Sequence, residues 1–226
     1  MPSDDIYKVF NEFIFSNDIK LIGKLLHRYD FFKMTKDLPG DIVEIGVFKG
    51  SGIATFSKFV DIYCPRSNKK ILGFDIFDDS TKEEILNKDG NFDKEKMNIV
   101  YSKVDKSELS ITSVEERLTN MNIDKKYMLV RGDVENTLPK FIKENPGFRV
   151  SLLYIDVDLE RATYNAMIHL WDRLLPGGII VFDEYEYHKF SESNGVEKFL
   201  KEKNINYELK STNWMAPTAY IIKKGL

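Results

Sequence analysis

The sequence predicts an α/β domain built on a mostly parallel, doubly wound sheet. Three observations carry that expectation. Short β-branched runs alternate with helix-length segments. One of these runs closes in a turn marked by Gly46, Gly50 and Gly52. Four of the runs end in an acidic residue: Asp75, Asp133, Asp156 and Asp183.

The elements follow in chain order. Residues 4–36 read as helical, with Ser3 as an N-terminal cap and acids close behind it. Ile6, Val9, Phe10, Phe13 and Ile14 share one face. After a break at Ser16-Asn-Asp18, Leu21, Ile22, Leu25, Leu26 and Tyr29 form a second apolar face. Such faces are expected to pack over the core or against a second subunit. Pro39-Gly40 ends this helical cap, residues 1–40, and the main domain is expected over 41–226.

Strand one covers 42–47, too short for a helix and rich in β-branched residues. Its glycines mark a turn where something approaches the backbone closely, and 53–63 reads as the helix that carries the chain away. Strand, glycine turn and helix make a small-ligand site at the carboxyl end of a sheet. Strand two is 71–74 before Asp75, and strand three is 127–130 before Gly132-Asp133. Strand four is 150–155 before Asp156, and strand five is 179–182 before Asp183. Helices are expected near 113–122, 135–144 and 161–174. Two last strands, 207–210 and 219–222, lack a helix between them and suggest an antiparallel hairpin at one edge. Residues 76–112 are charged and longer than an ordinary connection, as a lid or binding loop would be. No repeat or second domain appears, so one domain overall is expected.

The 226 residues are 42% hydrophobic, enough for a sizeable core. With 33 basic and 36 acidic residues there is no basic stripe, and no nucleic-acid partner is expected. No apolar run approaches the ~20 residues of a membrane span. The N-terminus, Met-Pro-Ser-Asp-Asp, lacks a signal-peptide pattern, so a cytoplasmic protein is expected. A single cysteine, Cys64, leaves no internal disulfide.

An acid after a strand can simply cap the next helix. Acids after successive strands, beside a glycine turn, point instead to a ligand. Glu44 lies inside strand one, where a carboxylate needs a partner such as a backbone donor or a ligand amine. Asp75 is placed to accept from two ribose hydroxyls, and Asp133 to meet an adenine amino group. The loop is not G-x-G-x-x-G, which counts against a dinucleotide.

Val43-Glu-Ile-Gly-Val-Phe-Lys-Gly50 resembles the first motif of class I S-adenosylmethionine-dependent methyltransferases. The pieces Gly132-Asp-Val-Glu-Asn-Thr-Leu-Pro139, Tyr154-Ile-Asp-Val-Asp-Leu-Glu-Arg-Ala-Thr163 and Val181-Phe-Asp-Glu-Tyr185 are similar to signatures of the macrocin O-methyltransferase family. That family methylates sugar hydroxyls. The resemblance implies a Rossmann-like fold with a seven-stranded sheet. It implies that Glu44, Gly46, Gly50 and Ser51 surround the methionine part of S-adenosyl-L-methionine, with Asp75 at the ribose, Asp133 at the adenine and Asp156 also beside the cofactor. It implies Mg2+ on Asp156, Asp183 and Glu184, and an acceptor sugar near Asp158 and Tyr185. Glu184 stands where the family has Asp, Glu160 replaces a tyrosine and Ala162 a serine.

The expected chemistry is an in-line transfer of a methyl group to a sugar hydroxyl of a glycoside, nucleotide-sugar or surface-polysaccharide precursor. Asp156 is the expected base, and His188 a second candidate. A catechol-like acceptor is the runner-up substrate. A nicotinamide oxidoreductase or a nucleotide-binding scaffold is the runner-up class. A homodimer through the N-terminal helices is a further expectation.

Overall fold

The computed structural model describes residues 4–77, 79–121 and 126–225. Two helices open it, α1 (Asp4–Ile14) and α2 (Ile19–Thr35). At the break between them, the Asp18 side chain accepts hydrogen bonds from the Lys20 and Leu21 amides, which satisfies two of the unpaired donors of α2. The expected cap at Ser3 lies outside the described residues.

Strands and helices then alternate: β1 (Asp41–Ile45), α3 (Ser51–Tyr63), β2 (Ile71–Asp75), α4 (Asp79–Leu86), α5 (Asn91–Ser102) and α6 (Ile111–Thr119). They continue as β3 (Tyr127–Arg131), α7 (Val134–Glu144), β4 (Val150–Ile155), α8 (Glu160–Leu170) and β5 (Leu174–Phe182). The chain ends with α9 (Glu192–Glu202), β6 (Leu209–Ser211) and β7 (Ala219–Ile222). The seven strands form one sheet in the order β3-β2-β1-β4-β5-β7-β6. The first five are parallel, and β7 runs antiparallel between β5 and β6. The expected α/β sheet with its antiparallel end is present.

Each central strand is apolar on both sides because both faces of the sheet are covered. Val43, Ile45, Phe74, Leu153 and Ile155 pack with Leu138 of α7, Met167 of α8 and Phe199 of α9. Ile42, Ile71, Leu152 and Ile179 pack on the other face with Phe31 and Phe32 of α2 and Phe56 of α3. Glu44 follows Ile42 by two residues, so strand alternation aims it at the α2 side. Chain order reverses between β1 and β4, and their carboxyl ends lie side by side. A ligand site belongs at that switch point.

Two strand boundaries need correction. Strand five begins at Leu174, not at residue 179, because Leu174 pairs with Val150 before an irregularity lets Ile179 pair with Leu152. Pro176, Gly177 and Gly178 form the bulged part of this long strand. The sixth strand starts at Leu209, two residues late. Of the named apolar faces of the first helices, Tyr29 packs on the core, whereas Ile6, Val9, Phe10 and Ile14 are exposed, as are Leu21, Leu25 and Leu26. The inward side of α2 carries Gly23, Arg28, Phe31, Phe32 and Thr35 instead. Within 79–102 the long connection is helical, and it sends Leu86 and Met97 into the core.

Candidate active site

The site is built on the glycine turn after β1. Gly46 has φ +89°, and a Cβ there would stand 1.8 Å from the Asp156 carbonyl oxygen. Only glycine lets the ends of β1 and β4 come so close. The turn continues through Phe48 at φ 53° and Gly50 at φ 89°, and α3 starts at Ser51. Asp75, at the end of β2, holds this turn. Its Oδ2 accepts from the Val47 amide at 2.7 Å and the Phe48 amide at 2.9 Å, and its Oδ1 from the Phe77 amide at 3.1 Å. Burial pushes the Asp75 carboxyl above its usual range, against the pull of those amides.

Over the turn lies a cavity of about 730 Å3, a size suited to a small ligand. Glu44, Gly46, Ser51, Asp75 and Asp133 line it, and so do Asp156, Asp158, Asp183 and Glu184. Residues from five strand ends are thus brought to one space. The roof comes from the outer helices, with Lys24 and Leu25 of α2 and Leu86 and Met97 from the 76–112 segment.

Three expected residues are not brought there. Gly50 shapes the start of α3, where an added Cβ would meet Val114, but it does not line the cavity. Tyr185 turns its hydroxyl to Glu197 of α9 and its ring to Phe182. His188 is exposed and packs its ring on Tyr187. Both lie in the bend after Asp183, which points them at α9 and at solvent. The acceptor contact expected of Tyr185 and the base expected of His188 are therefore not placed at the cavity.

The acids meet two cations from α2. Lys24 and Arg28 are four residues apart and share one side of the helix. Lys24 Nζ donates to Asp156 Oδ2 and to Asp183 Oδ2, each at 2.9 Å. Asp183 Oδ1 accepts from the Tyr154 hydroxyl at 2.6 Å. Arg28 lies over the Tyr154 ring, 5.4 Å from its centroid, with Nη2 3.5 Å from Glu44 Oε1. Trp214, from the turn between β6 and β7, fixes the helix. It packs on His27 and against Gly23, where an added Cβ would stand 2.2 Å from its ring.

Burial and charge set the protons. Burial works against the Lys24 charge, but Asp156 and Asp183 outweigh it and its pKa rises. Glu44 is pushed up to about 8 by burial, with Arg28 pulling the other way. Asp158, held at φ 64°, is pushed to about 8 by burial and then by Asp156, Glu184 and Asp183. Glu184 rises to about 7 by burial and the charges of Asp183 and Asp156.

The magnesium trio expected of Asp156, Asp183 and Glu184 does not assemble. Carboxylate oxygens are the right donors for that ion. However, the point shared by Asp156 and Asp183 is taken by the Lys24 ammonium. Among the described residues, no group of three or more His, Cys, Asp or Glu side chains is arranged to hold a metal.

At the opposite end of the cavity, Asp133 is engaged by protein groups. Arg161 Nη1 reaches its two oxygens at 3.2 and 3.0 Å, and Lys88 Nζ lies 3.3 Å from Oδ2. Arg161 also donates to Asp89 at 2.8 Å. The acid expected at the adenine is thus also the anchor of the segment after α4. Sequence reading missed Lys24, Arg28 and Arg161. The available signal was the i, i+4 spacing of Lys24 and Arg28 on one side of α2.

The macrocin O-methyltransferase (TylF) family model matches residues 31–220. The chain belongs to the macrocin O-methyltransferase family. It is similar to mycinamicin III 3''-O-methyltransferase of Micromonospora griseorubida, with 24% identity over 173 residues. That match covers 73% of this chain and 65% of the relative. Among solved structures it is similar to CalS11, a calicheamicin methyltransferase, with a TM-score of 0.73 and 23% identity over 98% of this chain and 86% of that one. It is also similar to the O-methyltransferase NovP, with a TM-score of 0.72 and 19% identity over 90% of this chain and 81% of that one. Likeness at these identities is a likeness of fold. Membership of a macrocin O-methyltransferase family sets aside the nicotinamide oxidoreductase and scaffold readings.

Proposed function

We propose that this macrocin O-methyltransferase family member transfers a methyl group from S-adenosyl-L-methionine to a sugar hydroxyl. The observation that carries the reading is the cavity at the switch point, where the Gly46 turn and Asp75 face Asp156, Asp158 and Asp183. A sulfonium cofactor is positive, and an acid-lined pocket suits it. A related solved chain, apo CalS11, is a TDP-rhamnose 3'-O-methyltransferase, and this supports a nucleotide-sugar or glycoside as the acceptor class. A catechol-like phenol remains the runner-up acceptor.

The chemistry is an in-line displacement. The acceptor oxygen forms a bond to the methyl carbon, the carbon–sulfur bond breaks, and its electron pair stays on sulfur. The hydroxyl proton goes to Asp156, the base of this reading. Asp158, with its carboxyl pushed up to about 8, offers a donor and an acceptor together at neutral pH, which suits a sugar hydroxyl. Gly46, Ser51 and Asp75 orient the cofactor so that the methyl group faces the hydroxyl at ~3 Å. Magnesium has no step here, because Lys24 already pairs Asp156 with Asp183.

Calorimetric titration with S-adenosylhomocysteine tests the reading. Binding by wild type that survives Asp156→Asn supports it, and screening nucleotide-sugars for labelled methyl transfer comes next. A folded wild type that binds no S-adenosylhomocysteine removes it. The exposed apolar side of α1, including Ile6, Val9 and Phe10, supports a second copy as partner. A monomeric mass by light scattering removes that part.

A further inference from the structure

We propose that the cation of this active site is the Lys24 ammonium, standing where the family resemblance implies a metal ion. The inference rests on the methyltransferase reading for the step that it assists. The geometry comes first. One nitrogen lies 2.9 Å from Asp156 Oδ2 and 2.9 Å from Asp183 Oδ2, so the two carboxylates converge on the ammonium. Asp183 is fixed from its other side by the Tyr154 hydroxyl at 2.6 Å. The lysine side chain is only 22% exposed.

The helix that delivers it is fixed too. Phe31 and Phe32 root α2 in the core, and the bare Cα face of Gly23 seats Trp214. A second cation from the same helix, Arg28, faces Glu44 at 3.5 Å. Glu44 of β1 and the acids that follow β4 and β5 are therefore answered by one helix. A divalent ion on Asp156 and Asp183 would have to displace an ammonium that already bonds to both.

An ammonium has three N–H donors. Two are spent on Asp156 and Asp183, and Lys24 lines the cavity. The third is the donor for the acceptor oxygen. As the methyl carbon–oxygen bond forms and the carbon–sulfur bond breaks, the hydroxyl proton passes to Asp156. The ammonium keeps its own protons and steadies the negative charge that builds on oxygen. A cation fixed beforehand at that place does so without reorganising. No ion or co-reactant beyond cofactor and acceptor enters the balance.

The test is a manganese titration followed by electron paramagnetic resonance, with S-adenosylhomocysteine titrated into the same preparations. Wild type is expected to bind S-adenosylhomocysteine and to show no stoichiometric Mn2+ site at micromolar concentration. Lys24→Met is expected to expose the acid pair and bind one Mn2+ at least about tenfold more tightly than wild type. Wild type that takes up one Mn2+ at micromolar concentration, and loses it in Asp183→Asn, overturns the proposal. So does a folded Lys24→Met protein with no gain in Mn2+ affinity. Lys24→Gln replaces Lys24→Met if the latter does not fold, and the wild-type titration decides without either. Loss of S-adenosylhomocysteine binding in wild type would count against the methyltransferase reading instead, so the two failures are separable.

Discussion

Two lysines, Lys24 half-buried and Lys69 buried, sit at opposite edges of the same sheet, and they behave in opposite ways. Lys24 reaches the carboxyl edge and meets two carboxylates, Asp156 and Asp183. Lys69 lies at the amino edge and donates to the Leu38 carbonyl at 3.0 Å, the Gly40 carbonyl at 2.6 Å and the Ser151 hydroxyl at 2.8 Å. Burial disfavours the charge in both places. At Lys24 the carboxylates win and the pKa rises. At Lys69 burial wins and the pKa falls to about 8, although Asp41, Cys64 and Asp37 pull it back up. Neutral acceptors satisfy the donors of a lysine without compensating its charge. The Lys69 bonds strap the 38–40 turn to β4, whereas Lys24 joins Asp156 to Asp183.

That contrast can be broken experimentally, and the largest effect is expected at Lys24. Lys24→Met should cut methyl transfer by about 10²–10³-fold, as for loss of a donor to a developing oxyanion. It should leave S-adenosylhomocysteine affinity within a few-fold, and calorimetry beside initial rates would show the split. A variant with normal rates would reduce Lys24 to a surface ion pair.

Gly23→Ala comes next. Its methyl group would meet the Trp214 ring at 2.2 Å, so α2 must shift. A loss of about 1–3 kcal/mol in urea unfolding is expected. Activity should fall as well, because the helix that moves carries Lys24. Stability lost with activity intact would uncouple the helix from the site.

Lys69→Met should cost about 1–2 kcal/mol, the worth of its hydrogen bonds, and leave methyl transfer unchanged. Its pH dependence carries a definite sign. The unfolded lysine titrates at 10.5 and the folded one at about 8, so between those values the unfolded chain holds more protons. Wild-type stability should therefore rise relative to Lys69→Met from pH 8 to pH 10. Lys24 runs the other way, its contribution complete below 10.5 and lost above. A flat difference between the two melting curves would show that Lys69 keeps an ordinary pKa.

The smallest effect is expected at His188. The residue is exposed and packs its ring on Tyr187, so His188→Ala should change stability by no more than about 0.5 kcal/mol and leave the rate within twofold. A large loss of rate would bring it back as a base.

Much of the fold was legible because its signals are local. The β-branched runs, the glycine turn and the acids at the strand ends each lie within a few residues, and they placed Asp75, Asp156 and Asp183 correctly at one edge. Where the same local signals conflicted, the reading failed. Strand five was expected from residue 179 and begins at Leu174. Tyr185 and His188 were carried to the site by their nearness in sequence to Asp183, but the bend after it turns them away. The first helices were read by their apolar residues alone, which did not show that Lys24 and Arg28 face the acids of the site.

By itself, then, the sequence determined the parallel sheet, its switch point and the acids gathered there, because side-chain period and turn chemistry act over short distances. Only the tertiary structure decided what those acids face. Lys24 stands 132 residues from Asp156 and 159 from Asp183, and no periodicity spans such separations. Their meeting depends on how α2 seats against Trp214 and the sheet, which is a matter of packing rather than of pattern.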